Sequence, residues 1–232
     1  MQRLRAFVNQ YPTLRKGALR LRSLAKLTKS RGDIFTEYYQ NHKWFDGESH
    51  SGAGSSLAYT ENARRMLPVL WERYNISRFL DAPCGDFHWF QHIELPEGFE
   101  YIGADIVAPL IEHNRANFAN EQRQFMRLDI CKDPLPKVDM WMSRDCWFHL
   151  REDEIFQAIR SFLKSEIPYL LTTTHFACEE NRDILTGGFR LLNLEKAPFL
   201  FPHPIDTIDD WIEGYPPRRL ALWKREQLLH LV

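Results

Sequence analysis

From residue 77 onward the chain alternates short apolar runs with longer stretches whose apolar positions recur every three or four residues. The short runs predict strands over 78–82, 100–106, 123–129, 138–144 and 169–174. The longer ones predict helices around 87–93, over 108–119 and over 152–165. Strands that alternate with helices build a parallel sheet with right-handed crossovers. Residues 57–75 also carry a helical apolar face of Leu57, Met66, Leu67, Leu70 and Trp71, which Pro68 is expected to kink or split. Residues 33–54 are mixed and aromatic and run into Ser49-His50-Ser51-Gly52-Ala53-Gly54-Ser55-Ser56, a small-residue loop. Its glycines suit either a plain connector or a close approach of ligand to backbone. Residues 180–216 have little periodicity and several prolines, and read as a long functional excursion before a last strand at Leu220-Ala221-Leu222-Trp223.

Three successive predicted strands each end in an acid: Asp81, Asp105 and Asp129. Ligands of open α/β sheets bind beyond the carboxyl ends of the strands, so these acids fall where a site is expected. One strand-end Asp alone reads equally well as a helix N-cap. Three in order weaken that alternative. The first is followed at once by a tight turn, Pro83-Cys84-Gly85-Asp86. A dinucleotide fold wants G-x-G-x-x-G there, so that a pyrophosphate can meet a helix N-terminus. This turn offers one glycine, a proline and an acid, beside the acid of Asp81. Two carboxylates repel a pyrophosphate and attract a cation, which disfavours NAD and favours the sulfonium and ammonium of S-adenosylmethionine. Asp105 follows Asp81 by 24 residues, near the spacing at which an acid meets ribose hydroxyls. Asp129 is then placed to accept from an adenine amine.

The fourth strand leads into Ser143-Arg144-Asp145-Cys146-Trp147-Phe148-His149-Leu150, beside which an acceptor should lie. Methyl transfer is an in-line displacement for which the protein supplies alignment and exclusion of water. An alcohol acceptor must also lose a proton. His149 is the first candidate base, because its unperturbed pKa lies near neutrality; a helix-start histidine bonded to backbone is the alternative. Asp145 is the second candidate, as base or as orienter of a histidine. Arg144 reaches either Asp145 or a ligand carboxylate. His175, at the end of the fifth strand, is the runner-up base. Asn181, Arg182, Asp183, Gly187, Gly188, Arg190 and Asn193 form a polar loop of the kind that bonds sugar hydroxyls or phosphates, or simply faces solvent. The nine histidines are scattered without metal-ligand spacing, so no metal is expected.

Residues 79–87, 101–106, 127–130 and 139–150 together resemble class I S-adenosylmethionine-dependent methyltransferases. More narrowly, residues 49–56, 81–87, 143–150 and 188–194 resemble a bacterial group associated with surface-glycan synthesis. The resemblance covers about residues 33–225. It implies an α/β fold: a Rossmann-like, seven-stranded, mostly parallel sheet with an antiparallel last strand and helices on both faces. By the same resemblance Asp105, with Ile106 beside it, holds ribose, and Asp129 and Ile130 flank adenine. Asp81, Pro83, Cys84, Gly85 and Asp86 line the methionine end. Pro83 stands where the family has its first loop glycine. The chain then divides into a basic arm over 1–32 and a methyltransferase domain over 33–232, made of an N-terminal cap (33–76) and a core (77–232).

Charge refines this picture. Residues 1–32 hold nine Lys and Arg and no acid, while the other 200 residues carry 21 basic and 31 acidic side chains, a net of −10. The arm reads as a solvated or packed segment, a membrane-surface or partner-binding segment, or an organelle transit peptide. The formal net charge of −1 gives no reason to expect nucleic acid. The four cysteines lack C-x-x-C spacing and read as reduced thiols of a cytoplasmic protein, peripheral to the inner face of a membrane if the arm binds lipid. The expected function is O-methylation of a glycan or small polar acceptor. N- or carboxyl-methylation is the rival chemistry, and a non-catalytic cofactor-binding protein is the rival class.

Overall fold

A computed structural model describes residues 29–231. The basic arm, and with it the expected membrane or partner contact, lies outside the described residues except for positions 29–32. Seven strands, β1 (Arg78–Asp81), β2 (Glu100–Asp105), β3 (Arg123–Arg127), β4 (Met140–Ser143), β5 (Tyr169–Thr174), β6 (Asp206–Asp209) and β7 (Arg219–Lys224), form one sheet. Their order is β3-β2-β1-β4-β5-β7-β6. The first five are mutually parallel, and β7 runs antiparallel to both β5 and β6.

Alternation along the strands sends side chains to two cores. Leu80, Trp141, Leu170, Ala221 and Trp223 pack on one face of the sheet with Ile155, Ala158, Ile159 and Phe162 of α4 (Glu152–Ser165). Phe79, Tyr101, Met140, Met142, Leu171 and Leu222 pack on the other. There they meet Leu67, Leu70 and Trp71 of α2 (Glu61–Arg73) and Leu110 and Ile111 of α3 (Ala108–Phe118). Both faces of the central strands are therefore buried, which is why those strands read as continuous apolar runs.

The structure departs from the periodicity in four places. The stretch around 87–93 forms no α-helix but a single 3-10 turn, Phe90–His92, inside a run of turns. Pro68 does not split α2, because the buried residues flanking it keep one stripe against the sheet while the helix gives up a single N–H. The excursion over 180–216 contains β6, an edge strand that buries only Ile208 of its four residues and so carries little apolar signal. The mixed stretch after residue 30 begins with a helix, α1 (Arg31–Gln40), capped by Ser30 and Asp33 in a reciprocal box. This helix spans the boundary expected at residue 32. Ile34 and Tyr38 are buried, while Phe35 and Tyr39 lie along a cavity described below. An apolar stripe shared between two faces does not show as simple amphipathicity.

Gly103 of β2 marks the tightest point of the second core. A Cβ there would stand 2.7 Å from the Phe125 ring and 2.9 Å from that of Tyr101, both buried. Gly103→Ala is expected to destabilise the fold by about 1–3 kcal/mol. Chemical denaturation measures this, and an unchanged midpoint would contradict it.

Candidate active site

A cavity enclosing about 1040 Å³ of atom-free space, part of it continuous with solvent, opens at the carboxyl edge of β1, β2 and β4. Asp81, Pro83, Cys84, Gly85, Asp105, Ile106, Asp129, Ile130, Arg144, Asp145 and His149 all line it. Asp86 and His175 are not among its lining residues.

Two of the three strand-end acids are buried. Asp81 accepts from the Tyr101 hydroxyl at 2.9 Å. Burial pushes its carboxyl up to about 8, against the opposing pull of the Tyr101 bond and the Arg144 charge. Asp105 accepts from the Val107 N–H at 3.0 Å and the Gly85 N–H at 3.3 Å. Burial outweighs those bonds and pushes its carboxyl up to about 6. Asp129 lies two residues beyond the end of β3, since that strand closes at Arg127. It stays alongside β2 because the Leu128 N–H donates to the Asp105 carbonyl at 2.9 Å.

The turn after β1 is held from both sides. The Cys84 N–H donates to the Ala104 carbonyl at 2.8 Å, and the Asn114 amide donates to the Gly85 carbonyl at 2.8 Å. Gly85 has φ +56° and lies directly against Ser51, so a side chain would meet both strain and collision. The Asp86 carboxylate faces away from the cavity lining and anchors the small-residue loop instead. It accepts from the Ser49 hydroxyl at 2.9 Å, the His50 N–H at 2.7 Å and the Ser51 hydroxyl at 3.1 Å. That loop is thus a wall: His50, Ser51 and Ser55 line the cavity.

On the β4 side, four charges cluster: Arg144, Asp210 and Arg218 are buried, and the Asp145 side chain is 20% exposed. Arg144 donates to both oxygens of Asp210, at 2.9–3.2 Å, and to the Gly54 carbonyl at 2.6 Å. Arg218 donates to the Asp145 carboxylate at 2.7 Å and to the Asp210 carbonyl at 2.8 Å. Arg144 therefore pairs chiefly with Asp210, with Asp145 at 3.6 Å. Burial alone would raise Asp145, but the two guanidiniums prevail and hold its carboxyl below its ordinary range. Its backbone sits at φ +54°, an uncommon conformation for a side-chain-bearing residue. The Thr173 hydroxyl steadies it by accepting from its N–H at 3.0 Å.

The solved methyltransferases that this chain resembles do so in fold. No protein-family model matches the chain, and no curated protein sequence matches it. The methyltransferase domain of bacterial CtHen1-C aligns over 72% of this chain and 98% of its own, at 11% identity and a TM-score of 0.54. Magnesium protoporphyrin IX methyltransferase (ChlM) from Synechocystis PCC 6803, solved with SAH, aligns over 72% and 84%, at 11% identity and a TM-score of 0.52. Human N-acetylserotonin methyltransferase, solved with SAM, aligns over 70% and 52%, at 16% identity and a TM-score of 0.50. This chain spans about half the length of that human enzyme.

The fold is that of the class I methyltransferases.

The two candidate histidines of this fold differ in their surroundings. His149 Nδ1 lies 2.6 Å from the Gly188 carbonyl. A carbonyl only accepts, so Nδ1 carries the proton and Nε2 keeps its lone pair. Burial holds the imidazole below its ordinary value, and the Trp44 ring stacks on it at 4.9 Å. His175 Nδ1 accepts from the Leu192 N–H at 3.2 Å, the His175 backbone N–H donates to the Leu192 carbonyl at 2.7 Å, and burial pushes the imidazole down to about 4. It pins the excursion to β5.

Several polar residues of that excursion bond backbone groups of the excursion itself and of the start of α4. The Asn181 amide donates to the carbonyls of Asn193 and Ala197, both at 2.8 Å. Asn193 donates to the Cys178 carbonyl at 2.9 Å, and Asp183 accepts from the Glu152 N–H at 2.8 Å. Arg182 remains exposed. Arg31, Phe35, Tyr39, Trp44, Asp210 and Arg218 were not visible as site residues, because each comes from a segment without strand or motif signal. The four cysteines are free thiols. Among the described residues no group of His, Cys, Asp and Glu is placed to hold a metal, and no helix is long and apolar enough to cross a membrane.

Removing one member of the charge quartet leaves a buried net charge. Asp210→Ala is expected to destabilise the fold by about 3–5 kcal/mol. Thermal and chemical unfolding measure it, and a loss below ~1 kcal/mol would show that the quartet is solvated.

Proposed function

We propose that this chain transfers a methyl group from S-adenosylmethionine to a hydroxyl of a small polar acceptor, with a saccharide as the acceptor class. The observation that carries the cofactor is the convergence of Asp81, Asp105 and Asp129 on one cavity. The residues fit it. Asp81 is a desolvated carboxyl without a cationic hydrogen-bond partner, matched to an ammonium and sulfonium. Asp105 is placed to accept from a ribose diol, and Asp129 from an exocyclic amine. When bound, the cofactor supplies a methyl group on a good leaving group. The chain's own residues align the acceptor, exclude water and take up the proton.

His149 Nε2 is the proposed base. Its tautomer is set by the Gly188 carbonyl, its lowered pKa keeps it unprotonated at neutral pH, and it lines the same cavity as the acids. Asp145, fixed by Arg218 and Arg144, is the negative charge that stabilises the imidazolium formed.

Release of S-adenosylhomocysteine from labelled cofactor across a panel of glycan precursors tests the reading directly. Asp105→Ala is expected to weaken cofactor binding at least about tenfold, read by calorimetry. Binding should also release a proton near pH 7. The raised Asp81 carboxyl is largely protonated there, and a ligand cation favours its charged form, so affinity should climb from pH 6 to 8. The heat of binding must then differ between buffers of unequal ionisation enthalpy; equal heats would refute the Asp81 assignment. For a hydroxyl acceptor, His149→Ala is expected to lower kcat by about 10²–10⁴-fold. A loss of only a few-fold would indicate a nitrogen acceptor, and tight cofactor binding with no turnover on any acceptor would indicate a non-catalytic protein.

A further inference from the structure

Arg31 is the last basic residue of the arm, yet its side chain leaves solvent and enters the cavity wall. It occupies the first turn of α1, and with Phe35 and Tyr39 it puts one face of that helix, at intervals of four residues, along the cavity. Its Nη2 donates to both oxygens of Asp129, at 3.2 and 3.0 Å. Its Nη1 donates to Glu154 at 3.3 Å and Gln157 at 3.2 Å, both on α4. The guanidinium is four-fifths buried and so is the Asp129 carboxylate. Asp129 Oδ1 also accepts from the Cys131 N–H at 3.0 Å, but among the described residues Arg31 is the one donor to Oδ2. The helix is seated beside the same end of the cavity, since a Cβ placed on Gly32 would stand 3.6 Å from the Ile106 side chain.

We propose, resting on the cofactor reading above, that Arg31 is a cofactor-positioning residue. Its fork fixes the second oxygen of Asp129 toward the nucleobase, compensates that charge, and closes α1 over the adenine end as a roof. Arg31 thereby determines selectivity for a base with an amine at the position facing Asp129. Such a base donates to the fixed oxygen, whereas a base with a carbonyl there presents one acceptor to another. A guanidinium does this where an ammonium does not, because its two amino groups divide the work: Nη2 spans the Asp129 oxygens while Nη1 is anchored by Glu154 and Gln157.

The test compares two probes by calorimetry on the full chain: S-adenosylhomocysteine and S-inosylhomocysteine, which differ in that amine and carbonyl. The wild type is expected to favour the adenosyl ligand. Arg31→Met should weaken the adenosyl ligand about tenfold and the inosyl ligand far less, so that selectivity falls. Arg31→Lys keeps charge and stem, and should fold while recovering only part of the selectivity. An arginine that merely staples α1 to α4 would weaken both ligands equally. Equal loss, unchanged affinity or tighter binding in the variants overturns the assignment while leaving the cofactor reading intact. No binding of either ligand by the folded wild type overturns both.

Discussion

Desolvation of acids at the carboxyl edge of the sheet is the constraint on which this site depends. Asp81 and Asp105 are placed there by the ends of β1 and β2, with apolar layers on both faces of the strands behind them. Among the described residues neither has a guanidinium or ammonium bonded to it, and burial raises both carboxyls. A sheet edge of this kind is costly to the fold taken alone. A ligand that brought positive charge and hydroxyl donors into the cavity would offset that cost.

The other half of the site follows the opposite rule. Arg144, Asp145, Asp210 and Arg218 bring together two charges of each sign and satisfy them with one another and with backbone carbonyls. A quartet of this kind adds little to stability compared with apolar packing, but it tolerates few geometries. It ties the end of β4 to β6 and to the start of β7. The antiparallel insertion of β7 is what brings Arg218 to the rim, and the edge strand brings Asp210. Together they hold Asp145 in its positive-φ conformation beside His149.

The cover of the cavity comes from upstream of the sheet. Residues of helix α1, the aromatic stretch after it and the loop over 49–56 line the cavity, and polar and aromatic contacts together tie these segments to the core. The loop is held by Asp86, the helix by Asp129 and Glu154, and Trp44 by its stack on His149.

Local order was legible in the residues themselves. Apolar runs closed by Asp81 and Asp105, helical spacing over 108–119 and 152–165, and the turn after β1 were readable because periodicity and turn chemistry act between near neighbours. The antiparallel last strand came from the family resemblance, not from any pattern in Leu220-Ala221-Leu222-Trp223. Which carboxylates would face the cavity was not decided locally. Asp86, next to the turn, spends its oxygens on the loop over 49–56, while Arg31, read as one charge among nine in an arm, reaches Asp129 across 98 residues of chain. Asp210 and Arg218 sit in a stretch with no periodicity, and their meaning appears only when β6 and β7 pair. Side-chain partners far apart in sequence are set by how the layers stack, and stacking is a property of the whole folded chain.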